Sequence, residues 1–137
     1  MIYFVRHGQT DYNLNKIYAW QQDIPLNATG IDQAKQTALA LKDIKFDLCF
    51  CSPLQRAKQT CSEILKYHKN LNPIYDDRLK EKYYGKLENQ PIGSIKFNRW
   101  KIGEGEEQTN QLEIESITSV YNRIKNFFDE IMLKYSA

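Results

Sequence analysis

The sequence is poor in the residues that most often bind metals or form disulfides. Its 137 residues include only two histidines, His7 and His68, and three cysteines, Cys49, Cys51 and Cys61. An odd number of cysteines does not fit a fully disulfide-bonded secreted domain, and their spacing lacks the paired ligands typical of a structural zinc site. We therefore expect buried, reduced thiols, no metal site and a cytoplasmic protein.

Long apolar segments and a strong excess of charge are absent too. The opening run Met-Ile-Tyr-Phe-Val has only five residues before Arg6, too short for a signal peptide or a membrane span. Charged residues make up 26% of the chain but nearly cancel, to a net charge of +2. This balance gives no electrostatic basis for nucleic-acid binding. We predict a single domain over residues 1–137 that binds neither nucleic acid nor membranes.

The apolar residues that are present predict alternating strands and helices. Runs rich in β-forming residues predict strands at 1–6, 46–51 and 74–75. Apolar stripes at helical spacing predict helices at 29–43, from Pro53 to about 67, and from Ser116 onward. Residues 11–28 and 79–112 lack this periodicity and are predicted to be irregular. The pattern favours an α/β domain with a mostly parallel sheet.

Polar residues directly follow two of the predicted strands. Arg6, His7 and Gly8 come at the end of the first strand, and Ser52 comes at the end of the second. Ligands of open parallel sheets gather at the C-terminal ends of the strands. The coincidence therefore predicts a binding site formed by these two segments.

Four motifs occur in an order that is typical of one enzyme family. They are Arg-His-Gly-Gln-Thr-Asp-Tyr-Asn at 6–13, Asp-Ile-Pro-Leu-Asn-Ala-Thr-Gly at 23–30, Ser-Pro-Leu-Gln-Arg-Ala-Lys-Gln-Thr at 52–60, and Leu-Lys-Glu-Lys-Tyr-Tyr-Gly-Lys-Leu-Glu at 79–88. Together they resemble the conserved blocks of the histidine phosphatase (phosphoglycerate mutase-like) superfamily. The resemblance implies a three-layer α/β/α fold around a mostly parallel sheet.

The resemblance also implies a role for each residue of the predicted site. His7 would accept the phosphoryl group, Arg6 and Arg56 would bind the phosphate, and Asn13 would add a neutral donor. Two guanidinium groups would disfavour imidazolium and would match the phosphate oxygens with planar donors. Glu81 would be the acid and base, because a leaving alkoxide needs a proton.

Several of these residues also have an ordinary structural interpretation. Arg56 could be a solvated charge beside Lys58, and Glu81 could be a surface charge paired with Lys80 or Lys82. Ser52 and Glu88 are two further motif residues that are expected to be structural. Ser52 would cap the helix that follows it.

Members of the family that this sequence resembles use a second catalytic histidine. It lies in a Ser/Thr-His-Gly segment that follows a Glu-Ser…Arg helix. Glu115, Ser116 and Arg123 resemble that helix, whereas His68 precedes the Glu81 block and has no glycine after it. We therefore expect His68 to be a surface residue at a helix end. We also expect the chain to be C-terminally truncated relative to the family, without its last strand and helix region, and to self-associate through the incomplete sheet.

Three functions remain open at this point. Hydrolysis of a small phosphorylated metabolite, through a phosphohistidine and without a cofactor, is favoured. Phosphoglycerate mutase-type transfer is the first alternative, although Glu115 follows Gly85 by only 30 positions, which resembles the shorter phosphatase branch. The second alternative is a catalytically impaired fragment or phospho-ligand-binding module, since the second histidine is absent. Residues 91–112 are expected to frame the substrate mouth. Two interpretations of its side chains remain open: Lys96, Arg99, Trp100 and Lys101 contact the substrate, or Trp100 packs on the surface among solvated lysines.

Overall fold

The computed structural model describes residues 1–94 and 110–135. The elements along the chain are α1 (Asp11–Leu14), α2 (Ala28–Leu41), β1 (Cys49–Cys51), α3 (Gln55–Leu65), β2 (Pro73–Tyr75) and α4 (Ile117–Tyr135). Short 3₁₀ helices span Asp77–Leu79 and Gly85–Leu87. Most of the predicted substrate mouth, including Lys96, Arg99, Trp100 and Lys101, lies outside the described residues.

The two strands and the helix between them form a parallel β-α-β unit. β1 pairs with β2 in parallel, and Phe50 lies opposite Ile74. On one face of β1, the Sγ atom of Cys49 lies 3.5 Å from that of Cys61 in α3. On the other face, the Phe50 ring packs edge-on against Phe127 of α4, with 5.2 Å between centroids. Helices therefore cover both faces of the sheet, which confirms the predicted α/β class.

The predicted first strand is wrong for the described structure. Residues 1–6 belong to no strand, and Met1 and Phe4 are 106% and 79% exposed. Side chains of the segment contact the rest of the chain; the Tyr3 ring packs edge-on against Phe46, with 5.4 Å between centroids. A β-strand needs a neighbour to accept and donate its ladder hydrogen bonds, and no described residue pairs with this segment. Apolar composition alone therefore did not produce a strand.

The predicted helices are present, with adjusted ends. α2 begins where Asn27 caps it, through a 2.9 Å hydrogen bond from the Gly30 N–H to the side-chain oxygen. α3 begins at Gln55, whose N–H donates to Oδ1 of Asp23 at 2.6 Å. The Ser52 hydroxyl oxygen accepts only a long bond, 3.5 Å from the Leu54 nitrogen. The cap that was expected from Ser52 is therefore supplied by Asp23, in a distant loop. This difference is tertiary, because 32 residues separate the two cap partners.

A short helix also replaces part of the predicted loop 11–28. α1 is stabilised by a capping box in which Thr10 Oγ1 accepts from the Asn13 N–H at 3.2 Å. The Asn13 side chain reaches back to the Thr10 N–H at 3.0 Å. The two bonds satisfy the backbone N–H groups of Thr10 and Asn13, which explains why a helix of only four residues is stable here.

Candidate active site

His7 lies in a segment that two helices hold in place. The neighbouring Gly8 N–H donates to Thr60 Oγ1 at 3.2 Å, and the Thr60 hydroxyl donates to the Arg56 carbonyl of α3 at 2.9 Å. A Cβ atom on Gly8 would lie 2.2 Å from the Gly30 carbonyl oxygen of α2. Only glycine permits this approach of two backbones. The motif glycine therefore sets the position of His7 against α2 and α3.

The hydrogen bonds of His7 define its tautomer. Its Nδ1 is 2.7 Å from the Gly8 carbonyl oxygen, which can only accept, so Nδ1 carries the proton. Its Nε2 accepts from Nε–H of Arg56 at 3.2 Å and therefore presents a lone pair. The imidazole is thus neutral, with Nε2 available as a nucleophile.

The surroundings of His7 favour this neutral form. Burial lowers the pKa of His7, and the positive charges of Arg56 and Arg6 lower it further. The hydrogen bond to Gly8 and the carboxylate of Glu81 act in the opposite direction without reversing the shift. The net result is a larger neutral fraction near pH 7 than an exposed histidine would have.

Arg56 is buried, so its interpretation as a solvated charge is wrong. It is only 4% exposed. Besides the bond to His7, Nη1 donates to the Gln22 carbonyl at 2.8 Å and Nη2 donates to the Trp20 carbonyl. Burial lowers the pKa of Arg56, but an arginine remains charged at any physiological pH. A fixed guanidinium charge therefore lies directly beside the Nε2 lone pair.

Glu81 is exposed, and its backbone is held from two sides. Its carbonyl oxygen accepts from Gln21 Nε2 at 2.8 Å and from Arg123 Nη2 at 3.3 Å. Of the two lysines considered as surface partners of Glu81, Lys80 pairs instead with Asp77 at 2.8 Å. The negative charge of Glu81 favours the charged forms of His7 and Arg56, although the net shift in the pKa of each group is downward.

A cleft of about 970 Å³ brings together four of the five predicted site residues, Arg6, His7, Arg56 and Glu81. The other walls of the cleft are largely apolar and come from residues 1–5, β1, α3 and α4. Asn13 is the exception. Its side-chain oxygen is engaged in the α1 capping box, and no contact with the other four is found among the described residues. The cleft therefore places a neutral imidazole, two cations and a carboxylate along one opening. Groups of these types are the ones that phosphoryl-transfer sites use.

His68 differs from its predicted position on the surface. It is half-buried, and its ring packs edge-on against Phe46 with 5.1 Å between centroids. Sequence reasoning also missed the structural contributions of Trp20, Gln22 and Thr60. Of these three residues, only Thr60 could have been found from the sequence, because it is the last residue of the motif at 52–60.

Within residues 1–94 and 110–135, none of the helices has the length and apolar character needed to cross a membrane. Within the same ranges, no group of three or more histidine, cysteine, aspartate or glutamate side chains is arranged to hold a metal ion.

Comparison with protein families gives one match over nearly the whole chain. The model of the histidine phosphatase superfamily (branch 1) matches residues 2–137. The chain is 44% identical over 88 residues to the uncharacterized phosphatase PhoE of Bacillus subtilis, covering 64% of the chain and 45% of that protein. It is 37% identical over 129 residues to the fructose-2,6-bisphosphatase TIGAR of Bos taurus, covering 91% of the chain and 48% of that protein. The chain therefore spans about half the length of these relatives.

The fold of the chain is also similar to solved structures of phosphatases. A mycobacterial glucosyl-3-phosphoglycerate phosphatase in complex with VO3 superposes with a TM-score of 0.78 at 26% identity, over 95% of this chain and 66% of that one. The alpha-ribazole phosphatase of Shigella flexneri gives a TM-score of 0.78 at 25% identity, over 96% and 66%.

Proposed function

Because this chain belongs to the histidine phosphatase superfamily (branch 1), we propose that it hydrolyses phosphomonoesters of small metabolites through a phosphohistidine at His7. The observation that carries the proposal is the neutral imidazole of His7, whose Nε2 lone pair faces the buried guanidinium of Arg56 at 3.2 Å. The names of its relatives support the substrate class, since they include phosphatases of a sugar bisphosphate and of a glucosyl phosphoglycerate.

In the proposed reaction, the phosphate first enters between the two arginines. Its oxygens take over hydrogen-bond donors of Arg56 and Arg6 and free the Nε2 lone pair of His7. Asn13 is proposed as a further, neutral donor through Nδ2, because the α1 capping box uses only its Oδ1. Nε2 then attacks phosphorus, the bond from phosphorus to the ester oxygen breaks, and Glu81 gives that oxygen its proton.

The second step returns the enzyme to its first state. A water molecule attacks the phosphohistidine, its proton passes to Glu81, and the bond from Nε2 to phosphorus breaks. Two moderate barriers then replace the single high barrier of direct hydrolysis. The exposed position of Glu81 suits this role, because both the leaving group and the water reach it from solvent.

The test is turnover of a generic phosphomonoester by the wild-type chain and by His7→Ala. We expect His7→Ala to lower kcat by about three orders of magnitude or more, because the covalent route is lost. His68→Gln is the matched control and should keep wild-type activity. Wild-type activity in His7→Ala would refute the assigned nucleophile.

The same assay separates the alternative functions. Binding of phosphate without turnover would favour the phospho-ligand-binding module. Phosphoryl transfer to a second phosphoglycerate rather than to water would favour the mutase, a function that one relative from Schizosaccharomyces pombe bears in its name. Released inorganic phosphate is the outcome that we expect.

The setting of this activity is part of the proposal. We propose that residues 1–137 form one domain that works in the cytoplasm without a metal or other cofactor. The three cysteines are free thiols, as a reducing compartment requires. Because no metal takes part in the proposed reaction, activity should be unchanged by EDTA. Cell fractionation should recover the protein with the cytosol.

A further inference from the structure

Arg56 is oriented by two backbone carbonyls from a segment that has little regular structure. The Trp20–Gln22 segment supplies both, through the carbonyl oxygens of Trp20 and Gln22. Neither carbonyl is part of a helix or strand, so neither is fixed by a regular ladder. Whatever holds this segment therefore also holds the guanidinium beside His7.

The segment is strained as well as irregular. Trp20 has a φ of 26°, in the left-handed region that bulky side chains rarely adopt. Such a conformation persists only when surrounding contacts enforce it. One enforcing contact is the packing of the Trp20 ring on Tyr84, with 4.3 Å between centroids.

A second enforcing contact is the carboxylate of Glu88, which acts beside the bond from Gln21 Nε2 to the Glu81 carbonyl oxygen. Oε1 accepts from the Gln21 backbone N–H at 3.2 Å, and Oε2 accepts from Gln22 Nε2 at 3.0 Å. Both bonds reach across more than 60 residues of sequence, and both fall within the segment whose carbonyls bind Arg56. Glu88 is half-buried, which strengthens such bonds relative to a fully solvated site.

We propose that Glu88 is a positioning residue that fixes the Trp20–Gln22 segment and, through its two carbonyls, the guanidinium of Arg56 beside His7. The inference rests on the proposed function, in which Arg56 binds the phosphate. Its test measures His7 directly and needs no turnover, so a failure of the proposed activity leaves it readable.

The test is an NMR titration of the imidazole protons, which is simple because the chain has only two histidines. Glu88→Ala releases the segment, loosens Arg56 and removes part of the charge that holds the pKa of His7 down. We expect the His7 midpoint to rise by about half a pH unit. His68 packs against Phe46, away from the segment, and serves as the internal reference in the same spectra.

The sign of the shift separates positioning from a direct charge effect. The charges that face His7 are Arg56, Arg6 and Glu81. Loss of the Glu88 negative charge by itself would destabilise imidazolium and lower the His7 midpoint, opposite to the expected rise. Glu88→Gln tests this, because its amide oxygen still accepts from Gln21 and its NH₂ group can donate to a flipped Gln22 amide. It should leave the midpoint unchanged or slightly lower.

Further variants give the decisive comparison. In an Arg56→Ala background, Glu88→Ala should no longer raise the His7 midpoint, since the group through which it acts is gone. Gln22→Ala removes only one of the two hydrogen bonds to Glu88, so it should raise the His7 midpoint by a smaller amount. This variant replaces Glu88→Ala in the test if Glu88→Ala fails to fold. Glu113→Gln removes a nearby carboxylate that pairs with Lys86 at 3.0 Å, and it should change nothing.

Binding of inorganic phosphate, measured by calorimetry, is the second readout. Glu88→Ala should weaken binding about tenfold when Arg56 is present and less than twofold when it is absent, because misplaced donors lose the geometry of the site. An unchanged or lowered His7 midpoint in Glu88→Ala and Gln22→Ala would overturn the inference. An equal rise with and without Arg56 would also overturn it and leave Glu88 with a role in folding alone.

Discussion

His7 can attack phosphorus only in its neutral form, so its protonation is the residue property on which the proposed function depends most. Burial and the charges of Arg56 and Arg6 lower the pKa of His7. Above that pKa Nε2 keeps its lone pair, which phosphate binding would release from Arg56, and below it the nitrogen carries a proton. Activity should therefore persist to a lower pH than an exposed histidine, with an ordinary pKa of about 6.5, would allow.

A charge-deletion variant tests this residue-scale argument. Arg56→Gln should raise the pKa of His7 and move the acidic limb of the kcat/KM profile to higher pH. It should also lower kcat/KM by about 100-fold, because a charged phosphate ligand is lost. Lys58→Gln, an exposed lysine of the same helix, is the control and should leave the limb in place. A limb that does not move in Arg56→Gln would contradict the assignment of His7 to it.

The same pKa makes folding stability depend on pH, with a definite sign. The pKa is lower in the folded than in the unfolded chain, so the unfolded chain binds more protons between the two values. The contribution of His7 is complete above about pH 6.5. It is lost as the pH falls through the folded-state value.

At the scale of elements, α3 depends on contacts made far away in the sequence. It carries Arg56 in its first turn, yet its N-terminus is capped by Asp23 rather than by a local side chain. An acidic cap also interacts favourably with the positive end of the helix dipole. The cap therefore stabilises the helix and fixes the first turn that carries Arg56.

We predict that Asp23→Ala lowers the free energy of unfolding by about 1 kcal/mol. For a chain of this length that corresponds to a fall in Tm of about 3–5 °C. Asp23→Asn keeps an acceptor and should lose less stability. Ser52→Ala should lose little, since the Ser52 oxygen accepts only a long bond, 3.5 Å from the Leu54 nitrogen. Thermal denaturation followed by circular dichroism checks all three. A larger loss in Ser52→Ala than in Asp23→Ala would restore the local cap that the sequence predicts.

At the scale of the whole molecule, apolar surface remains open along the cleft. Met1, Ile2 and Phe4 are each more than half exposed. Of the described residues, only those of β2 pair with β1, which leaves its other edge free. Exposed apolar patches and open strand edges are the usual routes to association. We propose that copies of the chain associate through this surface.

The proposed self-association should appear in sedimentation velocity as a weight-average mass that rises with concentration. Ile2→Lys introduces a charge at the cleft and should shift the equilibrium toward monomer. Leu14→Lys is a matched control, because Leu14 is 62% exposed, against 58% for Ile2, but does not line the cleft. A wild-type chain that stays monomeric at all concentrations, or equal effects of both variants, would rule out this surface.

Residue types and their spacing were enough to predict the family, and they suggested most of the candidate chemistry. The motif blocks around His7, Arg56 and Glu81 pointed to one superfamily, and the helical stripes predicted α2, α3 and α4 within a few residues. Such features are local, because each depends on residue types at short, fixed spacings. The burial of Phe127 within the predicted apolar face of α4 belongs to the same class.

The arrangement of those residues in space came from the packing of distant segments. It assigned the cap of α3 to Asp23 and left residues 1–6 unpaired. It also surrounded Arg56 with the carbonyls of Trp20 and Gln22. These contacts join residues 32 to 36 positions apart, so no local pattern encodes them. Local sequence selects the groups that a phosphate site needs, whereas only the packing of distant segments sets their distances and protonation.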